Sequence, residues 1–328
     1  MFFALTDDQR EFDAAVRGYL ADRFDLAAVR AVVEDRDPGA GHPATLWKAA
    51  AEQGWLAVLV PEEHDGLGLG LVEAQVIARA LGAGLAPGPW RGTVLAAEAI
   101  RLAGTDEQKA TWLPRLAAGT AVGALAADRT LAVVEYGAIA DVVVTPDGLL
   151  VTGASSTPRG SYDGTVRLAD LTGGTVEELA AAPEIRSRAA VLVAADLVGI
   201  AREALTRTVA YDRERRQFGV PVGSFQSIKH TLADLHCTIT MAEHAALYAA
   251  HAVEVGDEDA PLAVAVAKAK AGDAAVASTG AMIQYHGGIG YTWEHEAHLF
   301  YKRAKRLAGQ WGDSATHRAR IAELTMGG

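Results

Sequence analysis

Apolar residues recur at helical spacing through the first third of the chain. Val16 and Leu20 belong to one such face, which begins after Thr6. Thr6 and Gln9 have the residue types of a capping box, in which each side chain satisfies the backbone of the other, so they predict where this helix begins. Further helices are predicted over 44–53, 71–81, 93–103 and 106–116. We therefore expect residues 1–118 to form a helical domain.

Between residues 119 and 182 the pattern changes to short runs of β-branched residues. Such runs occupy 142–145, 149–152 and 165–168. Segments rich in Pro, Asp and Gly separate them. β-branched side chains favour strands, whereas Pro, Asp and Gly favour turns. The pattern predicts a small, mostly antiparallel β domain.

From residue 183 onward long helical stretches dominate again. The helices are predicted over 186–214, 225–255, 261–285, 295–307 and 315–324. Alanine, the residue with the highest helix propensity, is abundant in them. The predicted fold class is mainly α with a small central β unit: an N-terminal helical domain (1–118), a β domain (119–182) and a C-terminal four-helix-bundle domain (183–328).

Composition narrows the class of function. The chain has 328 residues and a net charge of −11. Broad nucleic-acid binding requires clustered cations, so we expect no nucleic-acid partner. No apolar run approaches the roughly 20 residues of a membrane-spanning helix, so we expect no membrane partner. The single cysteine, Cys237, cannot form an internal disulfide and has no mark of a reactive thiol; we expect it to be buried and the protein to be cytoplasmic.

A cationic segment begins in the last turn of the long helix predicted over 186–214 and continues beyond it. It spans residues 211–230 and reads YDRERRQFGVPVGSFQSIKH. Arg215 lies where the helix ends, before a turn bounded by glycines. A planar guanidinium in a fixed position can bind a phosphate through paired hydrogen bonds. Alternatively, Arg215 and Arg216 form a solvated helix end that complements the helix dipole.

A second segment, residues 284–292, reads QYHGGIGYT. Its two adjacent glycines have no side chains, so a ligand can approach the backbone closely. His286 is interpreted as a structural turn residue. Glu294 and His298 are four residues apart on one helical face, but two ligands without a third make a poor metal site, and we predict no metal.

Both segments resemble the hallmark motifs of the acyl-CoA dehydrogenase family, and residues 54–70 and 104–114 are similar to its N-terminal domain. The resemblance covers almost the whole chain. It implies an oxidoreductase of lipid metabolism that binds FAD and acts on an acyl-CoA. It further implies that Arg215, Gln217 and Phe218 reach the FAD of a neighbouring subunit, with Gln226 nearby. By the same resemblance, Gln284, Gly287 and Gly288 contact the ADP part of the FAD.

The chemistry that the resemblance implies is α,β-dehydrogenation of an acyl-CoA thioester. A carboxylate removes the α-proton while a hydride passes from the β-carbon to the flavin. Members of the family carry this glutamate at one of two places, which fall here on Ala189 and Trp311; neither side chain can accept a proton. Asp313 and Asp196 are weak candidates for a substitute base. Asp196 is interpreted first as a structural partner of a neighbouring helix, because a charge in so apolar a helix must be paired.

The β domain also departs from the family pattern. The family carries a Thr-Glu-Pro-like stretch that contacts the flavin ring, whereas residues 124–129 of this chain read ALAADR. The domain is shortened as well. Flavin binding by this chain alone is therefore left open.

Three functions remain open, in the following order. The first is the base-lacking subunit of a hetero-oligomeric acyl-CoA dehydrogenase; the chain resembles the short subunits of α2β2 heterotetramers that act on bulky thioesters, including intermediates of steroid catabolism. The second is a self-sufficient homo-oligomeric flavoenzyme of the same fold, with an altered base or oxygenase-type chemistry. The third is a scaffold subunit of the same fold without enzymatic activity.

Overall fold

The computed structural model describes residues 4–35, 41–180, 182 and 184–327. The chain divides into two compact units. The first, here called the helical unit, comprises Met1–Leu26, Gln75–Ala86 and Ala190–Gly328. The second, the mixed unit, comprises Ala27–Ala74 and Pro87–Ala189. The division into three domains at residues 118 and 182 remains a prediction.

The mixed unit takes its helices from both of its chain segments. They are α2 (Leu26–Glu34), α3 (Ala44–Glu52), α5 (Trp90–Ala103) and α6 (Asp106–Ala117). Thr105 caps α6, because its hydroxyl accepts a hydrogen bond from the Gln108 backbone at 3.2 Å and its own backbone donates to the Gln108 side chain at 3.0 Å. The helix predicted to start at residue 93 starts at Trp90, whose indole donates to the backbone of Trp55 at 2.8 Å.

Two small sheets complete the mixed unit. Their strands are β1 (Gly123–Leu125), β2 (Val134–Glu135), β3 (Val142–Val144), β4 (Leu149–Thr152), β5 (Ser155–Arg159), β6 (Leu168–Thr172) and β7 (Thr175–Glu178). One sheet has the order β1-β3-β4-β7 and the other the order β2-β6-β5. β1 pairs with β3 in parallel, and the other pairs of described strands are antiparallel.

The strand predicted over residues 165–168 is wrong in position, because β6 begins only at Leu168. The Asp163 carboxylate accepts hydrogen bonds from the backbone and the hydroxyl of Thr165, at 2.9 and 2.7 Å. These short-range bonds hold a turn where a β-branched residue suggested a strand.

The helical unit is built around long helices. It contains α1 (Asp7–Arg23), most of α4 (Leu71–Ala83) and of α7 (Glu184–Glu214), α8 (Gln226–Val255), α9 (Ala260–Tyr285), α10 (Ala297–Gly309) and α11 (Ser314–Met326). α1 begins at the predicted capping box, where the Thr6 hydroxyl accepts from the Gln9 backbone at 3.2 Å. The alanine-rich α9 packs against α8, α10 and α11. The predicted fold class, mainly α with a small β part, agrees with these elements.

Helices α4 and α7 touch at glycines. A Cβ atom at Gly199 would lie 2.0 Å from the backbone oxygen of Arg79, and one at Gly82 would lie 2.2 Å from that of Asp196. A larger residue at either position would push the two helices apart. This close approach keeps Asp196 deep inside the helical unit.

Cys237 is exposed on α8, so its predicted burial is wrong. Leu235 and Ile239 are buried on the same helix. A position midway between two residues four apart lies on the opposite helical face, which turns Cys237 toward solvent. As far as the chain is described, none of its helices is long and apolar enough to cross a membrane. The cytoplasmic location remains a prediction.

Candidate functional site

The segment after α7 folds into a small hairpin. β8 (Arg216–Gln217) pairs antiparallel with β9 (Val220–Pro221). Phe218 and Gly219 form the loop between them, with φ angles of 52° and 80°. Positive φ at both loop positions is typical of a type I′ turn, which suits glycine but strains a bulky residue such as Phe218. We call residues 215–221 the exposed hairpin.

The exposed hairpin presents its side chains to solvent. Phe218 is 92% exposed, and its ring meets that of Phe225 edge-on with centroids 6.3 Å apart. Arg215 and Gln217 are also exposed, as is Gln226 at the start of α8. Residues held in a strained conformation cluster at functional sites. These four predicted side chains all lie exposed within residues 215–226.

The second predicted segment forms a short 3₁₀ helix, Gly287–Tyr291, after the end of α9. Gln284, Gly287 and Gly288 are exposed. A Cβ atom at either of these two glycines would meet no described atom within 4 Å. The backbone is therefore open to close approach by a ligand. We call residues 286–291 the glycine turn.

One aromatic contact joins the end of α7, just before the exposed hairpin, to the glycine turn. The rings of Tyr211, near the end of α7, and His286 are stacked with centroids 4.3 Å apart, and the phenol donates to the His286 backbone oxygen at 3.4 Å. His286 Nδ1 lies 2.7 Å from the Met282 backbone oxygen. A carbonyl only accepts, so Nδ1 carries the proton. Burial lowers the pKa of His286, which favours a neutral, structural imidazole.

Asp212 lies between Tyr211 and the exposed hairpin and is 1% exposed. Neither of its carboxylate oxygens has a hydrogen-bond partner among the described residues. Burial raises the pKa of Asp212 to about 6. The sequence did not mark this residue, because it opens a run of charged residues that looks solvated as a whole.

The first family position for a base is occupied by a buried methyl group. Ala189 lies on α7 and is completely buried. Its neighbour Arg188 lies 2.6 Å from the carboxylate of Glu98, a buried acid that the sequence did not single out. Arg101 binds the same carboxylate at 2.7 Å. Glu98 is therefore held between two guanidinium groups, which identifies it as an ion-pair partner.

The second family position lies in a tightly held loop between α10 and α11. Trp311 and Gly312 have φ angles of 56° and 97°. Lys268 is 1% exposed, and its ammonium donates to the backbone oxygens of Ala308 and Gly312 at 2.9 and 2.8 Å. His317 Nε2 lies 3.0 Å from the Trp311 backbone oxygen. The loop is thus fixed by side chains and has an indole where the family has a carboxylate.

Asp313 is the N-cap of α11 rather than a free acid. Its carboxylate accepts from the backbone and the hydroxyl of Thr316, at 2.8 and 2.7 Å. These hydrogen bonds lower the pKa of Asp313, which is the wrong direction for a general base that must hold a proton near neutrality.

Asp196 forms a buried ion pair. Its carboxylate lies 2.9 Å from the guanidinium of Arg303, and the same guanidinium donates to the backbone oxygen of Ala86 at 3.0 Å. This arrangement matches the interpretation of Asp196 as a partner of a neighbouring helix.

His298, one member of the pair with Glu294, is held by aromatic contacts. His298 stacks on Trp293 with ring centroids 4.4 Å apart, and Lys302 lies over the same indole at 4.7 Å. Within the described ranges, no group of three or more His, Cys, Asp or Glu side chains could hold a metal ion.

The sequence is similar to those of acyl-CoA dehydrogenases. Residues 6–120 match the N-terminal domain of acyl-CoA dehydrogenases, and residues 186–326 match the C-terminal domain. Acyl-CoA dehydrogenase IpdE2 of Mycobacterium tuberculosis (strain ATCC 25618 / H37Rv) is 39% identical over 303 residues, which are 91% of this chain and 91% of its own length.

Solved structures with similar folds agree. A variant of the steroid ACAD Tcur3481-Tcur3483 has a TM-score of 0.87 and 27% identity, and the match covers 97% of each chain. The ChsE4-ChsE5 complex from Mycobacterium tuberculosis has a TM-score of 0.88, with 99% of each chain covered, and its 23% identity shows the fold alone. The predicted fold class and the predicted enzyme class, an oxidoreductase of the acyl-CoA dehydrogenase type, are confirmed. The chain belongs to the acyl-CoA dehydrogenase family.

Proposed function

We propose that this chain is the base-lacking subunit of a hetero-oligomeric, FAD-dependent acyl-CoA dehydrogenase. One observation carries the proposal. The exposed hairpin and the glycine turn retain the residues that the family pattern assigns to the flavin, whereas the two positions for the base hold Ala189 and Trp311. The chain thus keeps the residues expected to bind the cofactor and has no proton acceptor at either of the two family positions for the base.

The described residues fit an FAD dinucleotide. Arg215 supplies an exposed planar cation for the pyrophosphate, and Phe218 beside it supplies an exposed aromatic surface. Gly287 and Gly288 leave open space where the ADP part can approach the backbone. Gln217, Gln226 and Gln284 are exposed amides that can donate or accept hydrogen bonds beside it. When bound, FAD supplies the acceptor for the hydride from the β-carbon.

The two candidate substitute bases of this chain, Asp196 and Asp313, are poorly suited to proton abstraction. A general base needs a carboxylate that is free to reach the α-carbon and has a pKa near the working pH. Asp196 is committed to Arg303, and Asp313 is committed to the backbone of α11. We infer that the carboxylate comes from a second acyl-CoA dehydrogenase subunit.

The outward-facing Phe218 supports assembly with such a partner. An exposed aromatic in a strained turn is costly for a lone chain and useful once another subunit or a cofactor covers it. Two of the similar structures have paired names, the steroid ACAD Tcur3481-Tcur3483 and the ChsE4-ChsE5 complex. We therefore propose a heterotetramer or heterodimer that acts on a bulky acyl-CoA, with a steroid-derived thioester as the first class to test.

The test is to purify the chain alone and together with family members that keep a glutamate at either base position. The visible spectrum reports bound flavin, size-exclusion chromatography reports assembly, and anaerobic bleaching of the flavin by acyl-CoA reports proton and hydride removal. We expect bleaching only in the assembled pair, and its loss when the partner's glutamate is changed to Gln. A lone flavin-loaded chain that is bleached at a comparable rate would overturn the proposal and favour the self-sufficient enzyme.

A further inference from the structure

Asp212 lies beneath the 3₁₀ helix that follows the exposed hairpin. A Cβ atom added at Gly223 would lie 3.0 Å from the backbone oxygen of Asp212 and 3.3 Å from its Cβ atom, so the short 3₁₀ helix Val222–Ser224 packs directly on it. The hairpin is closed at its base by a bond from the Val222 backbone to the Arg215 backbone oxygen at 2.8 Å. Any expansion around Asp212 therefore acts on the segment that carries Arg215.

The surroundings of Asp212 supply no compensating charge. Its carboxylate oxygens have no partner among the described residues, and burial alone accounts for its raised pKa. The 3₁₀ helix Val222–Ser224 contains no ionisable side chain. His286 stacks on the adjacent Tyr211, and His295 packs on His286. The remaining charged or titratable groups of the adjoining helix ends are exposed: Arg213, Glu214, Arg215, Arg216, Lys229 and His230.

A buried, unpaired carboxylate is much more stable as the neutral acid. On the basis of the proposed function of the hairpin, we propose that Asp212 is a positioning residue of the flavin site: protonated, it lets the segment 215–224 pack on the end of α7, and ionised, it loosens that segment. Asp212 acts on Arg215 through the backbone, because the 3₁₀ helix that packs on Asp212 is tied to Arg215 by the hydrogen bond from the Val222 backbone.

The direction of the pH effect follows from linkage. The pKa of Asp212 in the folded chain, about 6, lies above the ordinary aspartate value of about 3.9. Its contribution to stability is therefore fully present below about pH 4 and is lost as the pH rises through about 6. An anion bound at Arg215 disfavours the ionised form further. Binding of a pyrophosphate there near neutral pH is thus accompanied by uptake of a proton.

The test is hydrogen exchange of the full-length chain at about pH 5 and about pH 8, corrected for the intrinsic exchange rate, on either side of the Asp212 titration. In the natural chain we expect the protection of residues 215–224 to fall at least about tenfold at the higher pH, the change that one pKa unit produces. Asp212→Asn mimics the neutral acid and should remove this dependence. Glu214→Gln, which removes the same charge from an exposed neighbour, should keep it.

Equal pH dependence in the natural chain and in Asp212→Asn would overturn the proposal, as would pH-independent protection of the natural chain. If Asp212→Asn does not fold, Asp212→Leu provides an apolar replacement of similar size with the same expected result. The measurement needs neither flavin nor partner. A chain that shows the pH effect but never binds flavin would contradict the proposed function and leave the role of Asp212 in the hairpin intact.

Discussion

The carboxylate of Asp196 and the guanidinium of Arg303 lie 2.9 Å apart, with side chains only 4% and 7% exposed. Removing one partner leaves the other charge buried, so Asp196→Leu and Arg303→Met should each lower the free energy of unfolding by about 3–5 kcal/mol. The double variant should be more stable than either single one. Urea denaturation of the four proteins measures this coupling, and additive losses would contradict it.

The same relationship predicts what Asp196 does not do. As an ion-pair partner, it should be dispensable for flavin chemistry in any variant that still folds. The double variant, assembled with its partner and loaded with flavin, should be bleached by acyl-CoA at the same rate per folded molecule as the unchanged pair. A bleaching rate that fell tenfold or more, with stability preserved, would instead identify Asp196 as a substitute base.

Arg215 should matter for flavin affinity through the shape of its side chain as well as its charge. Replacing it with Met removes a charge-assisted hydrogen bond, and we expect flavin affinity to fall about 10- to 100-fold. Arg215→Lys keeps the charge but loses the planar fork, so it should recover only part of this loss. Arg213→Met removes an exposed arginine from the same helix end and serves as the control. Flavin fluorescence titration of the assembled protein measures all three.

Phe218 should lower the stability of the lone chain while supporting assembly. Glycine adopts positive φ without strain, so Phe218→Gly should raise the free energy of unfolding of the lone chain by about 1 kcal/mol. The same change should weaken flavin retention and partner binding. Tyr162→Ala, which removes a 61% exposed aromatic from the mixed unit, should do neither. If Phe218→Gly assembled with the partner as well as the unchanged chain does, the exposed hairpin would not be part of the subunit interface.

Lys268 should be required for the loop around Trp311. Lys268→Met keeps the length of the side chain but leaves the backbone oxygens of Ala308 and Gly312 without this donor. We expect a loss of about 2–4 kcal/mol in the free energy of unfolding, because two half-buried acceptors lose their donor and each would cost about 1–3 kcal/mol if fully buried. Lys270→Met, on the exposed side of the same helix, should change it little. A similar loss in both variants would contradict a specific role for Lys268.

The features predicted from sequence are those that depend on near neighbours along the chain. The capping boxes at Thr6 and Thr105 join residues three apart, and the long helices follow from local apolar periodicity. The strand predicted at 165–168 is wrong in position because the hydrogen bonds from Thr165 to the Asp163 carboxylate stabilise a turn there. They outweigh the strand preference of the β-branched residues. The predicted burial of Cys237 is wrong because it rested on residue type, which does not tell on which face of the helix a residue lies. The buried residues on either side of Cys237 identify that face.

The features missed depend on distant partners. Glu98 meets Arg188 across 90 positions of sequence, and Lys268 meets Gly312 across 44. No local pattern marks such residues as buried. Asp212 was hidden because burial depends on how the 3₁₀ helix at Val222–Ser224 folds back over it. The candidate flavin residues could be identified from the sequence because their motifs are contiguous. That Phe218 points outward could be seen only from the geometry of the turn.

The exposed, strained Phe218 has a consequence for production of the protein. An uncovered aromatic on a protruding hairpin is a surface for non-specific association, so chains made in excess of their partner would aggregate or be degraded. On the proposed function, the two subunits are needed in equal amounts. Supply of the partner, rather than of this chain, then sets how much enzyme accumulates.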